Sequence, residues 1–326
     1  MDQMISNFLS KLEFGELKVF KNMGIIPLLT TVNHGPQYLT LKEALDQRLL
    51  TITEVRQGGS VPELKVVNTA EGPVLLLDGE ELAGAKQNRV LNTTILLKEN
   101  SETIIPVSCT EQGRWAYTSR VFKASGNFMN RDTRVIKYNA VSRSLRDNLA
   151  YASDQEEIWE DIARFSTDAG VSSATGAMRD VFESKEKDLK GYLDTFQYLP
   201  EQKGIFVMVN GMAVGFDILS RSNAYELLHQ KIVKSYAIDA LVRQAKVSEI
   251  PSIDKAKAFI EGASECEEKM YASIGHGWDH RFEGKAIVGS SLVYQDKVIH
   301  MAFFKVDDTD RAGSISSSSR RRRFRM

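Results

Sequence analysis

The sequence is short of several things that usually announce a function. Cys109 and Cys266 are its only cysteines in 326 residues, too few for a disulfide framework and in keeping with a reducing cytoplasm. No CxxC, HExxH or histidine cluster offers a closed zinc site, and nothing in the sequence names a cofactor. Charge of one sign is missing too. The 42 Lys and Arg stand against 43 Asp and Glu, so net charge argues for neither a nucleic-acid nor a membrane partner. No segment is long and apolar enough to span a bilayer. The start, MDQMISNFLSKLEFG, carries Asp2 and lacks the basic opening and apolar core of a signal peptide. Before Asp307 no run of Ser and Gly reads as a linker. With 42% hydrophobic and 26% charged residues, the expectation is a soluble cytoplasmic protein of one large domain or two ordinary ones.

What is present concentrates between Pro73 and Trp115. Val74 to Leu77 is an unbroken apolar run of strand length, as expected of a strand buried on both faces. At its end come Asp78, Glu80 and Glu81 around Gly79, then a dense set of donors, Lys86, Gln87, Asn88, Arg89 and Asn92. A second limb, TIIPVSCTEQGRW, ends in Cys109, Glu111, Arg114 and Trp115. Rigid strands that open into polar loops are common sites. Two carboxylates can divide general acid and base work or bind a hard cation. Glu80, Glu81 and Glu111 are therefore the candidate catalytic groups. Lys86 and Arg89 would hold an anionic group, and Gln87, Asn88, Asn92, Arg114 and Trp115 would contact a polar ligand such as a ribose. In an extended strand Asp78 and Glu80 share one face and Glu81 takes the other. The competing reading is a loop held by its own salt bridges, with Glu80 or Glu81 paired to Lys86 or Arg89.

DGEELAGAKQNRVLNT and IPVSCTEQGRW, together with GIFVMVNGMAVGFDIL, KSYAIDAL and FEGKAIVGSSLVYQDKVIHMAFF, resemble the ARG-and-rhodanese-phosphatase-superfamily-associated protein domain. The resemblance covers nearly the whole chain except its last dozen or so residues. The family's name records association with ADP-ribosylglycohydrolase-type and phosphatase-type partners. It implies a link to ADP-ribose metabolism rather than a particular reaction.

The pattern along the chain predicts an α+β fold. Its β-rich N-terminal half, residues 1–125, forms an antiparallel sandwich or barrel. Residues 126–306 comprise a helical middle and C-terminal antiparallel hairpins layered with helices. Leu17 to Thr31 is strand material with a bend or edge at Pro27, and Gly58-Gly59 marks a turn. Thr40-Leu41-Lys42-Glu43 has the spacing of a capping box. Asn139 to Phe196 reads as helical, with Val141, Leu145 and Leu149 recurring inward, Ser153 or Asp154 as a cap, and Ser172 to Gly176 opening a further helix. Asn210-Gly211 and Gln295-Asp296 turn two hairpins that suggest a four-stranded sheet with helices on one face. Helices are expected at Ala224 to Gln244 and Ile253 to Gly262. Residues 307–326 are expected to form a disordered tail, whose Arg320 to Arg325 cluster is the one feature that could bind nucleic acid or a membrane face.

Between Arg114 and Arg146 eight basic residues face a single acid, Asp132. They need carboxylates elsewhere in the chain or an anionic ligand. Cys109 alternates with Ile105 and Val107 and belongs in the core rather than as a nucleophile. His276 and His280 are set among glycines that oppose the helix a metal pair would need, and His300 reads as a core histidine. Two functions remain. The chain binds or processes a phosphate- or ribose-bearing small molecule, or it is a non-catalytic adaptor that senses such a ligand or docks a partner enzyme.

Overall fold

The computed structural model of the chain describes residues 1–31, 35–55, 62–243 and 249–306. The Gly58-Gly59 turn, Gln244 and the basic tail lie outside the described residues. The fold is α+β, as its alternation of short strands and helices predicts.

The run GIFVMV, strand Gly204–Val209, is buried on both faces. Ile205, Val207 and Val209 join one apolar cluster while Phe206 and Met208 join another. Such a strand must be covered on both sides, so the expected helices on one face become helices on both. Asn210 and Gly211, with φ of 52° and 76°, turn it into Met212–Leu219 as a primed hairpin does. Gln295 and Asp296 turn the second hairpin the same way, at φ of 51° and 54°. Met212–Leu219 pairs with Lys297–Lys305, so the two hairpins lie side by side in one antiparallel sheet. Among the described residues that sheet has nine strands, not four. Pro27 sits inside Met23–Leu29, opposite Ile205, where the strand's other neighbour changes from Lys18–Phe20 to Glu13–Phe14. A missing N–H is tolerated there.

Helices Gln3–Ser10 and Ile253–Ser264 cover one face of this sheet. The other face is covered by Arg131–Asn148, Gln155–Asp168, Met178–Ser184, Glu186–Thr195 and Ser222–Val242. The capping box is present on Leu41–Asp46, with Thr40 and Glu43 bonded reciprocally. Asp154 caps the helix that Gly170 follows. Three expectations shift. The helix expected from Asn139 begins at Arg131, and its first turns bury the charged Arg134 and Lys137 alongside Val135 and Tyr138. Leu149 is not an inward residue: it ends that helix at φ 53° and is 78% exposed. The Ser172 to Gly176 stretch precedes a helix that starts only at Met178, and the Ser173 hydroxyl accepts from Ala177 N and donates to Asp180.

The N-terminal half supplies a six-stranded antiparallel sheet ordered Phe122–Phe128, Glu80–Gly84, Arg89–Leu91, Ser101–Cys109, Glu63–Asn68, Leu50–Glu54. It encloses its own apolar cluster with Leu41, Ile52, Val66, Leu82 and Phe122. A three-stranded sheet of Ile95–Leu97, Val74–Leu76 and Leu39–Thr40 lies beside it, the last strand parallel. Leu75, Leu77, Val90 and Leu96 belong to the same apolar cluster as the middle helices.

Candidate functional site

Strand Val74–Leu76 is fully buried and runs into a tight turn. Glu80 N donates to Leu77 O at 3.0 Å, and Gly79 takes φ 87°, the left-handed value a type II turn needs at that position. The turn breaks the extended geometry assumed for the three acids. Asp78 is sent to Lys137 on the Arg131–Asn148 helix. Glu80 begins the next strand, accepts from Leu77 N at 3.1 Å and pairs with Lys231 of the Ser222–Val242 helix at 3.1 Å. Glu81, on the opposite face, accepts from the Thr110 hydroxyl at 2.8 Å. All three are at most 2% exposed.

The amides and cations that follow are bonded largely to one another. Arg89 is wholly buried and donates to Gln87 Oε1 at 3.0 Å, with Glu54 at 3.5 Å. Arg114 donates to the carbonyls of Ala85 and Ala116, to Asn88 Oδ1 and, at 2.6 Å, to the Glu111 carboxylate. Glu111 also accepts from Asn88 N and the Thr175 hydroxyl. Burial acts to raise its carboxyl, but Arg114, Thr175 and Asn88 outweigh it and hold Glu111 below the ordinary value. Asn92 bridges Ser108 and the Tyr151 carbonyl. Lys86 lies 5.0 Å from the Trp115 ring and 5.2 Å from Tyr117, both exposed. The expected ligand groups thus divide into a buried brace and an exposed aromatic end. Glu111 is brought to the loop but not to the other two acids: its bonds go to Arg114, Asn88 and Thr175.

Glu81, like Asp78 and Glu54, keeps one buried carboxylate oxygen, its Oε2, without a hydrogen-bond partner among the described residues. Burial raises the carboxyl above its ordinary value, against the nearby Thr110, Ser125, Arg179 and Asn127. Strand Phe122–Phe128 bulges between Ala124 and Phe128, which carries Ser125, Gly126 and Asn127 out of register beside it. Gly126 is exposed, takes φ 85°, and has open space where a Cβ would stand. Asn127 Oδ1 accepts from Lys234 Nζ at 2.7 Å. Lys234 is half-buried, and burial lowers it against the pull of Glu186, Glu183 and Glu81. A buried acid drawn toward its neutral form thus stands below a rim holding a cation drawn toward its own. Displaced carboxyl and ammonium groups set together are candidates for proton transfer.

Sequence reasoning missed Lys231, Lys234, Thr110, Ser125, Asn127 and Arg179. A usable signal was present: Lys231 and Lys234 stand three apart in the apolar run KIVKSYAIDAL, hence on one helix face. Most of the basic run finds carboxylates within the chain. Arg131 pairs with Asp132, Arg134 with Asp217, Lys137 with Asp78, Arg143 with Glu157 and Arg146 with Glu283. Asp217 also accepts from Tyr236 at 2.7 Å and meets His300, whose other nitrogen is 2.9 Å from the Thr94 hydroxyl. His300 is therefore a satisfied core histidine. Cys109 is buried, its thiol pushed up to about 11 by burial. His276 and His280 turn to different acids, Glu99 and Glu268.

The ARG and Rhodanese-Phosphatase-superfamily-associated Protein domain matches residues 11–304 of the chain. No curated protein and no solved structure gave a match. Among the described residues no helix is long and apolar enough to cross a membrane.

Proposed function

From the premise that the chain belongs to this family, we propose that it binds and processes a phosphate- or ribose-bearing small molecule, with Glu81 as the proton-transferring group. The observation that carries the reading is the buried Glu81 carboxyl with one unpartnered oxygen beneath a rim of Ser125, Gly126 and Lys234. A general acid or base must hold its proton loosely near the working pH, and burial moves Glu81 in that direction. Lys234 and the partly exposed Arg179 supply positive charge for an anionic group. Glu80, fixed by Lys231, sets the strand from which Glu81 projects. Glu111, held ionised by Arg114, fixes the loop with Gln87, Asn88 and Arg89. Lys86 and Trp115 remain at the exposed end, where a larger ligand can reach them. The family's association with ADP-ribosylglycohydrolase-type partners supports a link to ADP-ribose metabolism.

Native mass spectrometry of the purified chain identifies the molecule that accompanies it, and ADP-ribose is the first probe to add. Glu81→Gln should retain binding and lose turnover by about two to four decades. Lys234→Ala should weaken binding by about one to two decades, as loss of a charge-assisted contact does. Affinity and turnover unmoved by both changes would remove Glu81 and Lys234 from the function. A bound ligand that the wild-type chain never converts would instead mark a sensing or adaptor domain.

A further inference from the structure

Among the described residues the six-stranded sheet ends in Leu50–Glu54 on one side and Phe122–Phe128 on the other, each hydrogen-bonded to one neighbouring strand. Both edges line a groove of about 660 Å3 whose remaining wall is the Leu41–Asp46 helix and the turn after it. A strand edge presents unused N–H and C=O groups, which proteins usually blunt with charge, proline or a bulge. Phe122–Phe128 is blunted in this way by Lys123 and its bulge. The stretch Leu50-Thr51-Ile52-Thr53 has no such device: it is uncharged, proline-free and rich in β-branched residues. Around it Leu45 and Val121 offer apolar contact. The charge is one-sided. Lys42 is neutralised by Asp46, whereas among the described residues neither exposed Arg48 nor exposed Lys123 forms an ion pair.

We propose that this groove docks an extended, acidic segment of a partner protein, which adds a strand along Leu50–Glu54. Main-chain pairing with the free edge gives the affinity, as in other strand additions. Alternation gives the specificity: apolar side chains on one face of the added strand meet Leu45 and Val121, and acidic side chains on the other meet Arg48 and Lys123. The five-residue edge sets the length of the core recognised. Docking at this edge does not depend on the chemistry of Glu81.

The test uses the full chain and a fluorescent, end-capped octapeptide of alternating valine and glutamate. The expected result is saturable binding, slower amide exchange at Thr51 to Thr53, and at least about a tenfold loss of affinity in the Arg48→Glu, Lys123→Glu variant. That variant should in turn bind the valine–lysine peptide better than the wild type does. Both substituted positions are exposed, and Arg48→Ala with Lys123→Ala replaces the pair if charge reversal lowers the melting temperature. Absence of saturable binding overturns the proposal. So does equal affinity for a block peptide of the same composition, which would reduce the effect to bulk charge. An oligothymidylate that binds more tightly and protects the same amides would make the groove a nucleic-acid surface instead.

Discussion

Ionising Glu81 in the folded chain places charge on a buried carboxyl whose Oε2 has no hydrogen-bond partner among the described residues. Burial outweighs the nearby Thr110, Ser125 and Asn127, which favour the charged form. The unfolded chain, hydrated, holds the same group at its ordinary value of 4.5, and folding raises it. Between 4.5 and the raised value the folded state therefore binds more protons than the unfolded one, and stability falls as pH rises through that window. Above it the full penalty applies. Glu81→Gln removes the penalty, so its melting temperature should match the wild type below pH 4.5 and exceed it at neutral pH, even as turnover is lost. Thermal melts of both proteins from pH 4 to 8 check this. A variant less stable at neutral pH would make Glu81 a structural residue. Asp217 has the opposite sign. Burial alone would raise it, but Arg134 and His300 hold it well below the carboxylate range. Its contribution is present above the unfolded value of 3.8 and is lost as pH falls toward the folded one. Asp217→Asn leaves Arg134 buried without its countercharge and should cost about 3–5 kcal/mol at pH 7. The loss should shrink in acid, as chemical denaturation at pH 7 and pH 3 would show.

At the scale of elements, the helix Arg131–Asn148 explains both what the sequence disclosed and what it concealed. Val141 and Leu145 follow the apolar spacing and are buried, so the second half of the helix was legible. Its first half puts Arg134 and Lys137 on the same inward face, where periodicity of hydrophobicity cannot see them. Lys137 stays next to Asp78 although burial pulls its ammonium down to about 8. The Asn210-Gly211 hairpin and the Thr40 capping box were legible because their signals are local. The loop Gly84 to Arg89 was legible as polar, but its partners were not. Arg114 lies far along the chain from this loop yet donates to Ala85 and Asn88, while also holding its near neighbour Glu111. Arg114→Ala should keep the fold, lower stability by about 1.5–3 kcal/mol, and speed amide exchange at Asn88 and Thr118, whose N–H groups bond to Glu111 and Ala85. Unchanged exchange at those two amides would show that Arg114 does not brace the loop.

For the whole molecule, Leu75, Leu77 and Leu96 from the β-rich half share one apolar cluster with Ile162, Phe182 and Ile232 from the helices and with Ile205 and Phe304 of the large sheet. We propose that residues 1–125 and 126–306 form one folding unit. Circular dichroism and tryptophan fluorescence should then report coincident unfolding, since Trp115 lies in one part and Trp278 in the other. Limited proteolysis that releases two stable halves would contradict it. Sequence could place the hairpins but not count the sheet, because pairings such as Met23–Leu29 with Gly204–Val209 join segments far apart in the chain. The same distance hid Lys231 and Lys234, which reach Glu80 and Asn127 only once the Ser222–Val242 helix packs against strand Phe122–Phe128.

The most direct test of Glu81 as the working group is its own titration, followed by carboxyl 13C NMR of the full chain and assigned by loss of the resonance in Glu81→Gln. The account predicts a midpoint above 4.5 that moves when the co-purifying ligand or ADP-ribose is added, and moves less in Lys234→Ala. A midpoint at or below 4.5, indifferent to ligand, would contradict it.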